Sequence, residues 1–160
     1  MMSGDKGIAG ALPSWTALPD IGLYMDQVIT LTGRVFHPSR GTGEITKSMV
    51  NNYVKVGLIK RPAGRKYDRE QLAQLMMIGV LKRALSMEEI ERLLACLCGS
   101  GTQEGYSRFC ACVSTVEDAL RGGMPVSFGQ ADGERSRAVF AGIAAAVCAS
   151  YAGRTLADGQ

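Results

Sequence analysis

Apolar residues recur at three- and four-residue spacing along most of this chain, and the breaks between those stripes divide it into helices. Ile21, Tyr24, Met25, Val28 and Ile29 predict a first helix from Asp20, its cap, to about Thr32, with Gly33 as the stop. Ile45, Met49, Val50, Tyr53 and Val54 predict a second over 46–56, opened by the Thr46 hydroxyl and closed by Gly57 in the left-handed conformation. Leu72, Leu75, Ile78 and Leu81 predict a third, running to about Ala84, with Asp68 and Gln71 as its capping box. Met87, Ile90, Leu93, Leu94 and Leu97 predict a fourth behind Ser86 and Glu89. Two more are expected, over 106–120 and 134–152. In the last, Ala141, Gly142, Ala144, Ala145, Ala146 and Ala149 would let another helix approach closely. The expected fold class is all-α.

The punctuation between stripes is also informative. Arg34 to Gly43 reads as a loop by its Pro and Gly content and carries the one histidine, His37. Ile59 to Tyr67 has a Pro62-Ala63-Gly64 centre flanked by Lys60, Arg61, Arg65 and Lys66, which suits a small hairpin or wing. Residues 121–133 form a Gly- and Pro-punctuated connection. Residues 1–18 are expected to be a flexible tail from which Pro13 and Trp15 dock, and 154–160 to be frayed.

A length of 160 residues allows one core of ordinary size, so the division expected is a tail (1–18), a helical domain (19–98) and a C-terminal helical packing or dimerisation layer (104–153). The formal charge is only +3, but residues 44–70 hold seven cations against three carboxylates, a balance of +4. Met1 to Trp15 has no continuous apolar run and so reads as neither signal peptide nor anchor. Ala138 to Gly153 is uncharged but Ala- and Gly-rich and shorter than the ~20 strongly apolar residues of a spanning helix. A cytoplasmic protein without a membrane partner is expected, with its five cysteines reduced.

Candidate chemistry concentrates on the second helix. Lys47, Ser48, Asn51, Asn52 and Lys55 form the stripe opposite its apolar face, all hydrogen-bond donors and charge. Consecutive asparagines in mid-helix are poorer helix formers than Glu, Lys or Gln, while Asn can bond adenine N6 and N7 bidentately. Such a helix of about three turns fits a DNA major groove. The pairs Cys96/Cys98 and Cys110/Cys112 sit two apart, which on a helix points them about 200° away from each other, so no metal site and no cofactor is expected. Gly99-Ser100-Gly101 lacks the Lys-Ser or Lys-Thr of a phosphate loop and is read as a turn. With no nucleophile elbow, His-based triad or persuasive carboxylate pair, an enzyme is not expected.

The run from Thr46 to Ile90 resembles the MerR-type winged helix-turn-helix: Tyr53-Val54-Lys55-Val56-Gly57-Leu58 is similar to the end of its second helix, Arg65-Lys66-Tyr67-Asp68 to the end of its wing, and Leu85-Ser86-Met87-Glu88-Glu89-Ile90 to a later helix start. The leading Leu18-Pro19-Asp20 segment, Ile45-Thr46-Lys47-Ser48-Met49-Val50-Asn51-Asn52-Tyr53-Val54-Lys55 and Lys66-Tyr67-Asp68 resemble more closely the bacterial domain-of-unknown-function family DUF1836. The sequence departs from MerR-type chains in the long connection between Thr32 and Thr46, in Asn51 where an Arg is usual, and in lacking a long heptad helix after Leu97. These resemblances imply a MerR-like winged helix-turn-helix and a duplex DNA partner. The expected contact residues are Lys47, Ser48, Asn51, Asn52, Tyr53 and Lys55 on helix 46–56, with Lys60, Arg61, Arg65, Lys66 and Tyr67 on wing 59–67. The expectation is a homodimeric bacterial transcriptional regulator; the alternative is a protein-interaction module docking an acidic partner through the same surface.

Overall fold

Ten of the thirteen residues between Arg69 and Leu81 are buried, from Gln71 and Leu72 through Met76, Met77 and Ile78 to Leu81. A helix that is apolar all round belongs in an interior, and the rest of the chain packs around this one. The computed structural model describes residues 7–127 and 132–159. Within them the helices are α1 (Met25–Val35), α2 (Lys47–Lys55), α3 (Arg69–Leu81), α4 (Met87–Leu97), α5 (Thr102–Arg121) and α6 (Gly133–Asp158), joined by short 3-10 turns at Trp15–Ala17 and Pro38–Arg40. The protein is all-α, and among the described residues no strand forms beyond two isolated β-bridges.

Local chemistry places three helix starts as expected. Thr46 accepts the Met49 N–H, and Asp68/Gln71 and Ser86/Glu89 close reciprocal capping boxes on α3 and α4. The first helix departs from expectation. It begins four residues late because Gln27 Oε1 takes the Tyr24 N–H at 2.9 Å, while Asp20 lies 3.9 Å from the Arg69 guanidinium. It then runs through Gly33 to Val35, so Gly33 is not a stop. What reads as a loop after it is packed: Phe36 is fully buried, and its ring lies where a Cβ on Gly79 would stand, 2.2 Å from the nearest ring atom. The glycine in α3 is what admits that ring.

The tail expected over 1–18 is, from Gly7 onward, part of the body; residues 1–6 lie outside the described residues. Ile8, Leu12 and Leu18 are buried, the Trp15 ring lies 6.4 Å from that of Tyr106, and the Tyr106 hydroxyl donates to the Pro13 carbonyl at 2.6 Å. At the carboxyl end, residues 154–158 continue α6 and are not a frayed end; residue 160 lies outside the described residues, as do 128–131 of the connection before α6. Arg154 is buried and its guanidinium lies 3.1 Å from Glu117 Oε2, itself fully buried on α5. The same carboxylate accepts the Ile8 and Ala9 N–H groups, each at 2.8 Å, while Arg154 also donates to the Arg40 carbonyl. One buried ion pair therefore joins α5 and α6 to the amino-terminal segment and the Pro38–Arg40 turn.

α6 is longer than expected at 26 residues, and by length and composition it could cross a bilayer, with mean hydropathy 1.4 over its most apolar stretch. One stripe of it, Ile143, Ala146, Val147 and Ser150, packs on α3, α4 and α5, and 28% of that apolar stretch is buried. Gly142 permits the approach to α4, since a Cβ there would lie 2.6 Å from Leu93.

Candidate nucleic-acid interface

α2 turns Val50 and Tyr53 inward and leaves Lys47, Ser48, Asn51, Asn52 and Lys55 exposed. The amphipathic split read from spacing is thus the split observed. Directly after α2, Gly57 takes φ +80° and the Tyr53 carbonyl accepts both the Leu58 and Ile59 N–H groups, at 2.9 and 3.1 Å. This sharp exit buries Ile59 and sends the chain into the basic hairpin. Gln71 of α3 donates to the Lys60 carbonyl at 2.8 Å and fixes the hairpin's base.

At the tip, Gly64 and Arg65 have φ of +56° and +65°, and the Lys66 N–H bonds the Ala63 carbonyl at 3.0 Å. Two consecutive positive φ values make the two-residue turn whose twist suits a hairpin. Gly is at ease there, but Arg65 is the single non-glycine with positive φ among the described residues. Gly or Asn would cost less at that position, so a guanidinium is held at the tip against backbone preference. Lys60, Arg61, Arg65 and Lys66 are all exposed.

The returning arm is anchored by Tyr67, which exchanges N–H···O bonds with Leu23 at 2.8 and 3.0 Å, so a third extended segment lies against the hairpin. Tyr67 and Tyr53, both expected as contact residues, are buried to 4% and 5% exposure and serve the core; burial pushes both phenols up from their ordinary pKa. Their aromatic bodies carry more apolar surface than their hydroxyls can hold in water.

Sequence periodicity put Tyr24 on the core side of the first helix, but because α1 starts late, Tyr24 and Ile21 are 54% and 71% exposed. The Lys66 Nζ lies 5.2 Å from the Tyr24 ring centroid, and Lys47 of α2 pairs with Asp26, two residues further on. Side chains from the start of α2 and from the hairpin tip therefore meet at the first turn of α1, which brings both basic elements to one face. Asp26 is the discordant charge on it. If this face binds duplex DNA, replacing Asp26 with Asn should free Lys47 and tighten that binding by roughly three- to tenfold at low salt, with a salt slope steeper by about one. Duplex binding unchanged in a filter or anisotropy titration would mean that Lys47 makes no phosphate contact.

The cysteines lie elsewhere. All five thiols are free; Cys112 is buried, which pushes its thiol up to about 12, whereas Cys96 is exposed. Among the described residues no three His, Cys, Asp or Glu side chains gather as a metal site would require. His37 caps the Pro38–Arg40 turn by accepting the Ser39 N–H at 3.1 Å.

These features define an all-helical protein with a basic hairpin between its second and third helices. The sequence profile of the domain of unknown function DUF1836 matches residues 13–109, more than half of the chain, and the protein belongs to that family. The matched segment extends beyond residues 19–98 on both sides and reaches both Pro13 and Tyr106, the two partners of the 2.6 Å bond that ties its ends together. No curated protein and no solved structure matches the chain.

Proposed function

We propose that this protein is a bacterial transcriptional regulator that reads duplex DNA with α2 in the major groove and uses the hairpin as a wing on the phosphate backbone, in the manner of a MerR-like winged helix-turn-helix. The observation that carries this reading is the meeting of Lys47 and Lys66 at the first turn of α1, which sets a polar helix face and a four-cation hairpin side by side. The turn itself requires positive φ at residue 65, and a backbone phosphate at the tip is a reason to place an arginine there where Gly or Asn would cost less.

Phosphate contacts fix position and base-edge contacts fix sequence, so the two elements should fail differently. Asn51→Ala or Asn52→Ala is expected to cost about 1–3 kcal/mol on the preferred site and little on random duplex, if that side chain pairs bidentately with a base. The measurement is the ratio of specific to non-specific affinity, on a site recovered by selection from a random duplex pool. A ratio unmoved by both substitutions would place specificity outside α2, with the Arg34–Gly43 segment next to be examined.

A reading helix of nine residues spans one half-site, and the outward side of α6 carries Ala138, Ala141, Ala145 and Ala152 exposed. We assign the working form as a cytoplasmic homodimer joined through the C-terminal helices, facing half-sites about one helical turn apart or a multiple of it. Sedimentation of the full chain at micromolar concentration should give the dimer mass; a monomer there would contradict this assignment.

A further inference from the structure

We infer that the extended segment Ile21–Tyr24 is a third contact element of the duplex-binding face, with the Tyr24 hydroxyl donating to a backbone phosphate and Ile21 packing on the adjoining deoxyribose. This inference rests on the reading of α2 and the hairpin as a DNA-binding surface. Periodicity assigns both side chains to the core, yet the structure leaves them among the most exposed large apolar residues of the chain.

Their position is fixed by the backbone. Leu23 exchanges hydrogen bonds with Tyr67, which lays the segment antiparallel to the hairpin's returning arm. Gly22 sits so close to that arm that a Cβ on it would come within 2.8 Å of Lys66 Cβ, so Lys66 is braced on one side by Gly22 and capped by the Tyr24 ring, 5.2 Å from its ammonium. A cation held in one orientation loses less freedom on meeting a phosphate than one that swings freely. Tyr24 then presents an apolar body to Lys66 and a polar tip to solvent at the same place, the combination that lets tyrosine serve as a phosphate donor.

The charges around the segment agree with this. The Asp20 carboxylate lies 3.9 Å from Arg69, and the Asp26 carboxylate is paired with Lys47, so each carboxylate flanking the segment faces a cation. Ile21, on the same extended segment, is 71% exposed. The wall of a DNA groove would cover it, since sugars present apolar C–H surface between the phosphates.

The test uses the full chain and a labelled duplex at about 0.1 M salt, with wild type and the variants Tyr24→Phe, Tyr24→Ala and Ile21→Ala measured together. Tyr24→Phe keeps the ring under Lys66 and removes only the hydroxyl. It should weaken binding roughly three- to tenfold on specific and random duplexes alike, with the salt slope unchanged because the lost donor is neutral. Tyr24→Ala should also lower the slope, because Lys66 is released, and Ile21→Ala should weaken binding without touching the slope. Thermal melting identifies any variant that disturbs the hairpin, and the conservative Tyr24→Phe decides in that case. Wild-type binding with Tyr24→Phe and Ile21→Ala both at full affinity would overturn the inference while leaving the α2 and hairpin reading in place. A wild type that binds no duplex would overturn both.

Discussion

Glu117→Ala is expected to lower the free energy of unfolding by about 3–5 kcal/mol, the cost of leaving a buried charge without its partner. Glu117 is fully buried and Arg154 is 6% exposed, so water cannot take over the lost contacts. The substitution orphans the Ile8 and Ala9 N–H groups as well, each of which bonds a separate carboxylate oxygen at 2.8 Å. For a chain of this size each kcal/mol moves the midpoint by about 2–4 °C, so a fall of at least about 6 °C should appear in a melt followed by circular dichroism. The pair need not itself be a large stabiliser. Replacing both partners with apolar residues of similar volume should recover part of the loss, whereas Arg154→Met alone should not, because the buried carboxylate would then face only Arg121, a half-exposed cation 3.6 Å from its Oε1. A loss under about 1 kcal/mol in Glu117→Ala would mean that the amino-terminal segment is not held by this carboxylate.

The second large effect belongs to the hairpin. Changing Lys60, Arg61, Arg65 and Lys66 together to Gln or Ser should leave the fold intact, since all four side chains are exposed and the hairpin is held by Tyr67, Leu23 and Gln71. Each phosphate contact contributes a slope of about 0.9 in log affinity against log salt, so losing four should flatten the dependence by about 3.6. At about 0.1 M salt that corresponds to a loss on the order of a thousandfold, provided all four reach phosphates. Arg65 is the informative member, because Arg65→Asn keeps a residue that tolerates positive φ and removes only the charge. A quadruple variant with wild-type affinity would show that the hairpin is not the backbone-contacting element.

Which parts of this were legible in the sequence follows from the range of the interactions involved. The starts of α2, α3 and α4 depend on partners three residues away, Thr46 with Met49, Asp68 with Gln71 and Ser86 with Glu89, so local reading suffices for them. The exposed stripe of α2 and the hairpin centred on Gly64 are local in the same sense. The amino-terminal segment was not legible, because nothing in Ile8-Ala9 announces a carboxylate more than a hundred residues away. Arg154 likewise sits in a stretch whose composition suggests an end, and only Glu117 makes it interior.

The tyrosines are ambiguous in sequence for a different reason. Tyr24, Tyr53 and Tyr67 each combine an apolar ring with a polar tip, so the residue type is compatible with core and surface alike. Spacing put Tyr53 on the apolar face of its helix and Tyr24 on the apolar side of the first, while the family resemblance put Tyr53 and Tyr67 among the contact residues. The structure buries Tyr53 and Tyr67 and exposes Tyr24. The cause is the start of α1: Gln27 caps the Tyr24 N–H, leaving residues 21–24 extended along the hairpin instead of coiled into the helix.

Whether this face binds duplex DNA is measured directly by a titration of labelled duplex with the full chain at several salt concentrations between about 0.05 and 0.2 M. Six cations occupy the face, Lys47, Lys55, Lys60, Arg61, Arg65 and Lys66, with Lys47 engaged by Asp26. The account predicts saturable binding whose log affinity falls against log salt with a slope of about −4 to −5 per protomer, a loss of several hundredfold or more across that range. A flat dependence, or no binding to any duplex while an acidic protein or peptide competes for the same cations, would contradict it and leave a docking surface for an acidic partner.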